Sequence, residues 1–247
     1  MAPKRTPPII LPPTSPPNDI TKSAAFIFIH GFGDDAEGVE GIARQFQSAD
    51  KLPHMSWILP NAPHNHDLAA TAWYMPTGLS PYPPSRPDLV EVEDEEGIMA
   101  TVAYITTLVD DLVAQGVPEK RIAVGGFSQG HAVGLLTGLI SKYAGRLGGL
   151  VGLSGYLPLM DQVPQLRKEA GLPKEVKDEV EVFLARVTGD RIVPKRYHRM
   201  CYEALYELGI KEEQVTIHEY EGMGHVMNGV ELRDLCNWLE RVVPEIE

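Results

Sequence analysis

Six short apolar runs, at 24–29, 57–59, 122–124, 150–153, 182–187 and 215–217, punctuate the chain. An unbroken apolar run of that length is what a strand covered on both faces of a parallel sheet requires. Between the runs the period changes from continuous to helical. Ile98, Val102, Ile105, Leu108 and Leu112 recur at three and four, as do Leu135, Leu136, Leu139 and Tyr143. The same spacing links Tyr197, Met200, Cys201, Ala204, Leu205 and Leu208, and finally Leu232, Leu235, Leu239 and Val242. Each set makes one apolar helix face. Pro194 suits the first turn of the third of these helices and Gly209 its end. Strands alternating with helices predict an α/β fold with a mostly parallel central sheet, right-handed crossovers and helices on both faces.

Two stretches break the alternation. Residues 1–19 hold seven prolines, which bar a helix and favour extended or disordered chain. Residues 1–22 are therefore expected to lie outside the fold, with one domain over 23–247. The stretch 64–96 carries Trp73, Tyr74, Met75, Tyr82 and five prolines in an acidic setting. It is too long for a simple connection, and its aromatic content predicts a lid or pocket wall.

Composition narrows the function. A chain of 247 residues, 43% hydrophobic, can bury one large core. Its net charge of −12 excludes the basic face that nucleic acid requires, and anionic membranes would repel it. Cys201 and Cys236 fall on apolar helix faces, where thiols behave as small hydrophobes and no disulfide is expected. There is no signal-peptide pattern, continuous apolar span or N-x-S/T sequon. No stable membrane insertion is expected, and the expected address is cytoplasmic, with the nucleus as a second compartment.

The candidate chemistry centres on Gly126-Phe-Ser-Gln-Gly130. It follows a strand and opens a helix, so Ser128 sits on a nucleophile elbow. A serine hydroxyl needs a base, the base an orienting carboxylate, and the oxyanion fixed donors. Of eight histidines only His225 lies in a glycine-flanked loop between the last strand and the last helix, where the chain order serine, acid, histidine places the base. Asp190 follows the run 182–187 and precedes a helix, at the sheet edge where parallel strands assemble sites. Asp161 and Asp178 lack a strand to deliver them. The oxyanion donors expected are the backbone N–H groups of Gln129, after the nucleophile, and Phe32, in the loop His30-Gly-Phe-Gly-Asp34. His30, ending a buried strand, reads as a structural hydrogen-bonding residue. His131, one turn past Ser128, is placed equally well near the site or in a structural role. His64-x-His66 has no third ligand in view, and neither metal nor cofactor is expected.

The motifs Phe28-Ile-His-Gly-Phe-Gly-Asp34, Leu59-Pro-Asn-Ala-Pro63, Ala72-Trp-Tyr74, Gly78-Leu-Ser80, Glu95-Glu-Gly-Ile98, Gly125-Gly-Phe-Ser-Gln-Gly130, Leu153-Ser-Gly-Tyr-Leu-Pro158 and Tyr220-Glu-Gly-Met-Gly-His225 together resemble the acyl-protein thioesterase, lysophospholipase and carboxylesterase group of α/β-hydrolases, over about residues 24–243. The resemblance implies Ser128 as nucleophile, Asp190 as acid, His225 as base, and Phe32 and Gln129 as backbone donors. It implies an acyl channel touched by Trp73, Tyr74, Met75 and Leu79, and substrates that are acylated proteins, including palmitoylated ones, lysophospholipids or small esters. Homodimers occur in the group. The chain departs from the group's usual pattern at Arg186-Val187, where His-Gly is usual, at His131, where a small residue is usual, and at Trp73-Tyr-Met75, where Trp-Phe-Asp is usual. A small-molecule carboxylesterase and a noncatalytic binding module on the same scaffold are the two competing readings.

Overall fold

The computed structural model describes residues 5–83, 92–176 and 180–246. Residues 84–91 of the long loop, and Asp178, lie outside the described residues. Strands β1 (Ile9–Leu11), β2 (Ala24–Ile29), β3 (Met55–Leu59), a small hairpin of β4 (His64–Asn65) and β5 (Ala70–Thr71), then β6 (Ile122–Phe127), β7 (Gly149–Leu153), β8 (Glu181–Gly189) and β9 (Val215–Met223) alternate with helices. These are α1 (Ala36–Ser48), α2 (Glu95–Ala114), α3 (Gln129–Ile140), α4 (Val163–Glu169), α5 (Lys195–Glu207) and α6 (Gly229–Val242). All six expected strands form, most of them longer than their apolar runs.

Seven strands make one sheet in the order β1-β3-β2-β6-β7-β8-β9. Every pair in it is parallel except β1 with β3. Because side chains alternate faces along a strand, β2 divides its residues between two cores. Ile27 and Ile29 pack with α2, α3 and α5, whereas Phe26 and Phe28 pack with α1 and α6. Continuous apolar sequence is thus the signature of a sheet covered on both sides. Cys201 belongs to the first core and Cys236 to the second, and both thiols are free.

The N-terminal expectation needs correction. Residues 9–11 are the antiparallel edge strand, with Ile9 opposite Leu59 and Leu11 opposite Trp57. Proline lacks a ladder donor and is confined to edges, so three apolar residues between the pairs Pro7-Pro8 and Pro12-Pro13 suit an edge strand and no other. Leu11 is buried in the second core, and Asn61 Nδ2 donates to the Pro7 carbonyl at 2.9 Å. Tyr143, expected on the second helical face with Leu135, Leu136 and Leu139, lies just beyond α3 in a turn. Among the described residues α2 has the length and mean hydropathy, 1.4, to cross a bilayer, and its row Ile98, Val102, Ile105, Val109 and Leu112 is packed into the first core.

Candidate active site

The site lies at the carboxyl ends of β2, β6, β8 and β9. β6 ends and α3 begins at Ser128, whose backbone adopts φ 56°, ψ −115°, a conformation that L-residues hold only when their surroundings impose it. The surroundings here are the Ile29 carbonyl, into which a Cβ at either Gly126 or Gly130 would run. The Ser128 N–H is also bonded to the Leu153 carbonyl at 2.9 Å. The corner therefore packs directly on the end of β2 and is fixed to β7.

Asp190 follows β8. Burial alone would raise its pKa, but hydrogen bonds from His225 and from the backbone N–H groups of Val193 and Ile192 outweigh it and hold the carboxyl below its usual range. Oδ1 accepts from Ile192 at 2.8 Å and Val193 at 3.0 Å, leaving Oδ2 to His225 Nδ1 at 2.7 Å. A carboxylate can only accept, so Nδ1 carries the hydrogen and the lone pair of Nε2 faces outward. Ser128 Oγ lies 2.8 Å from that Nε2. The side chain of Asp190 is 1% exposed and that of His225 15%, so the dry end orients the ring and the wetter end meets the hydroxyl. The Phe127 ring lies against the imidazole, 4.7 Å between centroids. Such an arrangement can lift a proton from a serine hydroxyl as it attacks a carbonyl carbon.

The loop after β2 folds against this corner. A Cβ at Gly31 would sit 3.3 Å from Ser128 Cβ, so the loop is in contact with the elbow. Gly33 has φ +77° and Asp34 N–H approaches the Gly31 carbonyl at 3.4 Å, as in a type II turn with glycine third. Thr71 of the hairpin accepts the Gly33 N–H at 2.9 Å. Gln129 begins α3, so its N–H is among those a helix start leaves without an internal partner.

The sequence profile of the phospholipase/carboxylesterase family matches residues 16–243. The chain belongs to this family. Like it is the acyl-protein thioesterase 1 of Yarrowia lipolytica, 32% identical over 234 residues, covering 93% of this chain and 96% of that one. The acyl-protein thioesterase 1 of Schizosaccharomyces pombe is 34% identical, covering 91% and 93%. Among solved structures, Arabidopsis thaliana SOBER1 is 26% identical with a TM-score of 0.72, covering 90% of this chain and 99% of that one. The acyl-protein thioesterase 2 of Zea mays, 24% identical with a TM-score of 0.72 and covering 96% and 98%, shares the fold. The α/β fold with a mostly parallel sheet expected from the alternating pattern, and the α/β-hydrolase architecture implied by the resemblance, are thus the ones observed.

Within this phospholipase/carboxylesterase framework the remaining sequence candidates fall as follows. Trp73 and Tyr74 are buried, and the Gln129 side chain clamps their backbone. Its Oε1 accepts from Trp73 N–H and its Nε2 donates to the Tyr74 carbonyl, both at 3.0 Å. Trp73 Nε1 donates to the His30 carbonyl at 2.9 Å, and Tyr74 meets Tyr156 hydroxyl to hydroxyl at 3.3 Å. Leu79 is half-buried against the first core, and Met75 is exposed. His30 is buried, and both its ring nitrogens are engaged by backbone. His131 is fully buried with Nε2 3.8 Å from Cys201 Sγ. Its ring fills the space a Cβ at Gly152 or Gly155 would need, and burial together with His198 pushes its pKa down to about 3. Arg186 is buried with Nη1 3.8 Å from Glu219. His64 and His66 meet edge to face on the hairpin, and no three-ligand metal cluster occurs among the described residues.

Sequence reasoning missed the clamp made by the Gln129 side chain, whose only signal was its place beside the serine. It also missed an apolar fringe on the strand-end loops. Phe32 is 44% exposed, Met75 39%, Ile192 62% and Val226 54%, each on a segment that carries or adjoins a candidate site residue. Each is a large apolar group left in solvent beside a candidate site residue, where an apolar ligand could cover it.

Proposed function

We propose that this protein is a serine hydrolase that releases fatty acyl groups from protein cysteines, an acyl-protein thioesterase. The hydrogen-bonded series Ser128 Oγ, His225, Asp190, at 2.8 and 2.7 Å, carries the chemistry. The names of the fungal relatives and the apolar fringe support the substrate class.

Ser128 Oγ attacks the acyl carbonyl carbon while His225 Nε2 takes its proton, and Asp190 stabilises the imidazolium through Nδ1–H. The Phe32 and Gln129 N–H groups receive the oxyanion. The tetrahedral intermediate collapses, the C–S bond breaks, and the proton on His225 follows the departing sulfur. Water then attacks the acyl carbon as His225 takes its proton, and the second collapse breaks the C–Oγ bond, with His225 returning that proton to Ser128 Oγ as the fatty acid leaves. A thiol with pKa near 8.5 leaves readily, so this cycle asks less of His225 as an acid than an oxygen ester would. Trp73 and Tyr74 wall the acyl site, and Met75 and Leu79 edge it.

The test is kcat/KM for matched thioesters and oxygen esters from acetyl to palmitoyl, with Ser128→Ala as the blank. A long-chain thioester optimum that vanishes in the blank is expected. Activity confined to short oxygen esters would instead identify a small-molecule carboxylesterase. Failure of the folded protein to label with a covalent serine probe would leave a noncatalytic binding module.

A further inference from the structure

His30 is the last side chain before the loop that holds Phe32, and it is buried against the ring of Trp73 with centroids 4.9 Å apart. Its two nitrogens face groups of opposite kind. Nδ1 is 2.7 Å from the Gly31 carbonyl oxygen, which can only accept, and Nε2 is 3.1 Å from the Ala62 N–H, which can only donate. Both contacts are satisfied by one form of the ring alone, neutral with hydrogen on Nδ1. The imidazolium would set two N–H groups against each other at Ala62. Burial acts in the same direction, lowering the pKa despite the Gly31 hydrogen bond and the nearby Asp34 and Asp35.

The bonded carbonyl belongs to a particular peptide unit. Gly31 C=O and Phe32 N–H are the two ends of one planar amide, and no peptide bond among the described residues is cis. In a trans amide the two bonds point in opposite directions. Holding the oxygen from one side therefore fixes the direction of the N–H on the other. The Asp34 N–H reaches the same oxygen only at 3.4 Å, so the imidazole makes the shorter of the two bonds. The frame is rigid behind it as well, since the His30 carbonyl is held by Trp73 Nε1 at 2.9 Å and the Trp73 backbone by Gln129.

From this geometry we infer that His30 is a positioning residue for the oxyanion hole. As a neutral Nδ1–H donor it holds the Gly31–Phe32 amide so that the Phe32 N–H already points where negative charge develops. The Ala62 N–H, by occupying Nε2, sets the tautomer that makes this possible. The inference rests on the proposed reading of Phe32 as an oxyanion donor. A donor fixed before reaction needs no reorganisation when charge appears, which is the source of its effect on the barrier.

The experiment is a two-way cycle. One change is His30→Phe, which keeps a ring and removes both polar contacts. The other replaces the residue-32 amide by an ester, introduced as the α-hydroxy acid, which deletes the N–H and also leaves the Gly31 carbonyl a weaker acceptor for His30. Removing an oxyanion donor costs about 100- to 1,000-fold in kcat, and that loss is expected for the ester. His30→Phe is expected to lose a large part of the same factor in kcat with KM little changed. It should weaken an alkyl boronate inhibitor, which presents a tetrahedral oxyanion, in proportion, and leave fatty-acid product affinity unaltered. In the ester background His30→Phe should cost almost nothing further.

An ester variant with full kcat would refute Phe32 as a donor. An ester variant that loses activity while His30→Phe multiplies that loss independently would keep Phe32 and overturn the role of His30. Nitrogen-15 NMR of the wild-type imidazole supplies a check that needs no variant to fold. The Nδ1–H tautomer is expected at pH 8, and the Nε2–H tautomer or the imidazolium there would overturn the inference.

Discussion

Ser128 holds a backbone conformation that costs about 1–3 kcal/mol, and the proposed chemistry explains why the chain keeps it. Ser128→Ala should lower kcat by roughly a millionfold, as loss of a triad serine does. Asp190→Asn should lower it about ten-thousandfold with the fold intact, because an amide can donate to Nδ1 and so favour the wrong tautomer. Steady-state kinetics beside a circular dichroism spectrum checks both. Glu231, fully buried at the start of α6, is a different case. Its Oε2 accepts the Asn228 N–H at 3.2 Å, yet burial, opposed by that bond, pushes its carboxyl up from 4.5 to about 7. A folded chain that binds a proton more tightly than the unfolded one loses stability as pH rises between the two values. From pH 4.5 to 7 that loss is on the order of 3 kcal/mol. Glu231→Gln keeps the acceptor and cannot ionise, so urea unfolding should show the decline flattened and the variant gaining on wild type at pH 8. Parallel declines in the two proteins would disprove the assignment. The residues of the proposed triad were legible from chain order and strand ends, whereas Glu231 was not, because one glutamate among many gives no sign of burial until the helix before it is placed.

Elements were legible where a run is long or a period repeats. α2 and α6 declared themselves by three-and-four spacing, but α1 did not. Its buried residues Ala36, Val39, Ala43 and Phe46 keep the spacing, yet two are alanines and the segment contains Gly38 and Gly41, so the periodic signal is weak. Its N-cap Asp35, whose side chain accepts the Gly38 N–H at 3.0 Å, was the available clue. The contact between β2 and α3 is the element-scale feature with the sharpest consequence. Because Gly130 lies against the Ile29 carbonyl, Gly130→Ala can be accommodated only by moving a helix away from a strand, both of them backbone. Overpacking of this kind costs roughly 3 kcal/mol. It should also carry Ser128 away from His225, so urea midpoints and kcat should fall together. A variant with wild-type kcat would show that the elbow relaxes without disturbing the serine.

At the scale of the whole molecule, the segment that composition set aside closes one edge of the sheet. Proline density argued for disorder, and three apolar residues are too few for a period to show, so β1 became visible only beside β3. Its contribution can be weighed. Burying Leu11 is worth about 2 kcal/mol and the bond from Asn61 to the Pro7 carbonyl about 1 kcal/mol. Deleting residues 1–12 should therefore lower Tm by roughly 6–12 °C in a chain of this size. It would also bare the backbone of β3, the kind of unpaired edge that templates association, so light scattering should rise with concentration. Turnover well below the new Tm should stay within about twofold. The deletion also removes Arg5, whose half-buried guanidinium lies 4.5 Å from the Tyr104 ring centroid and 5.6 Å from that of Trp73, so the fall in Tm should lie toward the upper end of that range. Trp73 keeps its bonds to Gln129, to the His30 carbonyl and from Thr101 Oγ1 at 2.6 Å. A truncated chain with unchanged Tm would show that the edge strand adds nothing to the fold, and one that kept its Tm but lost turnover would make the segment part of the active-site frame.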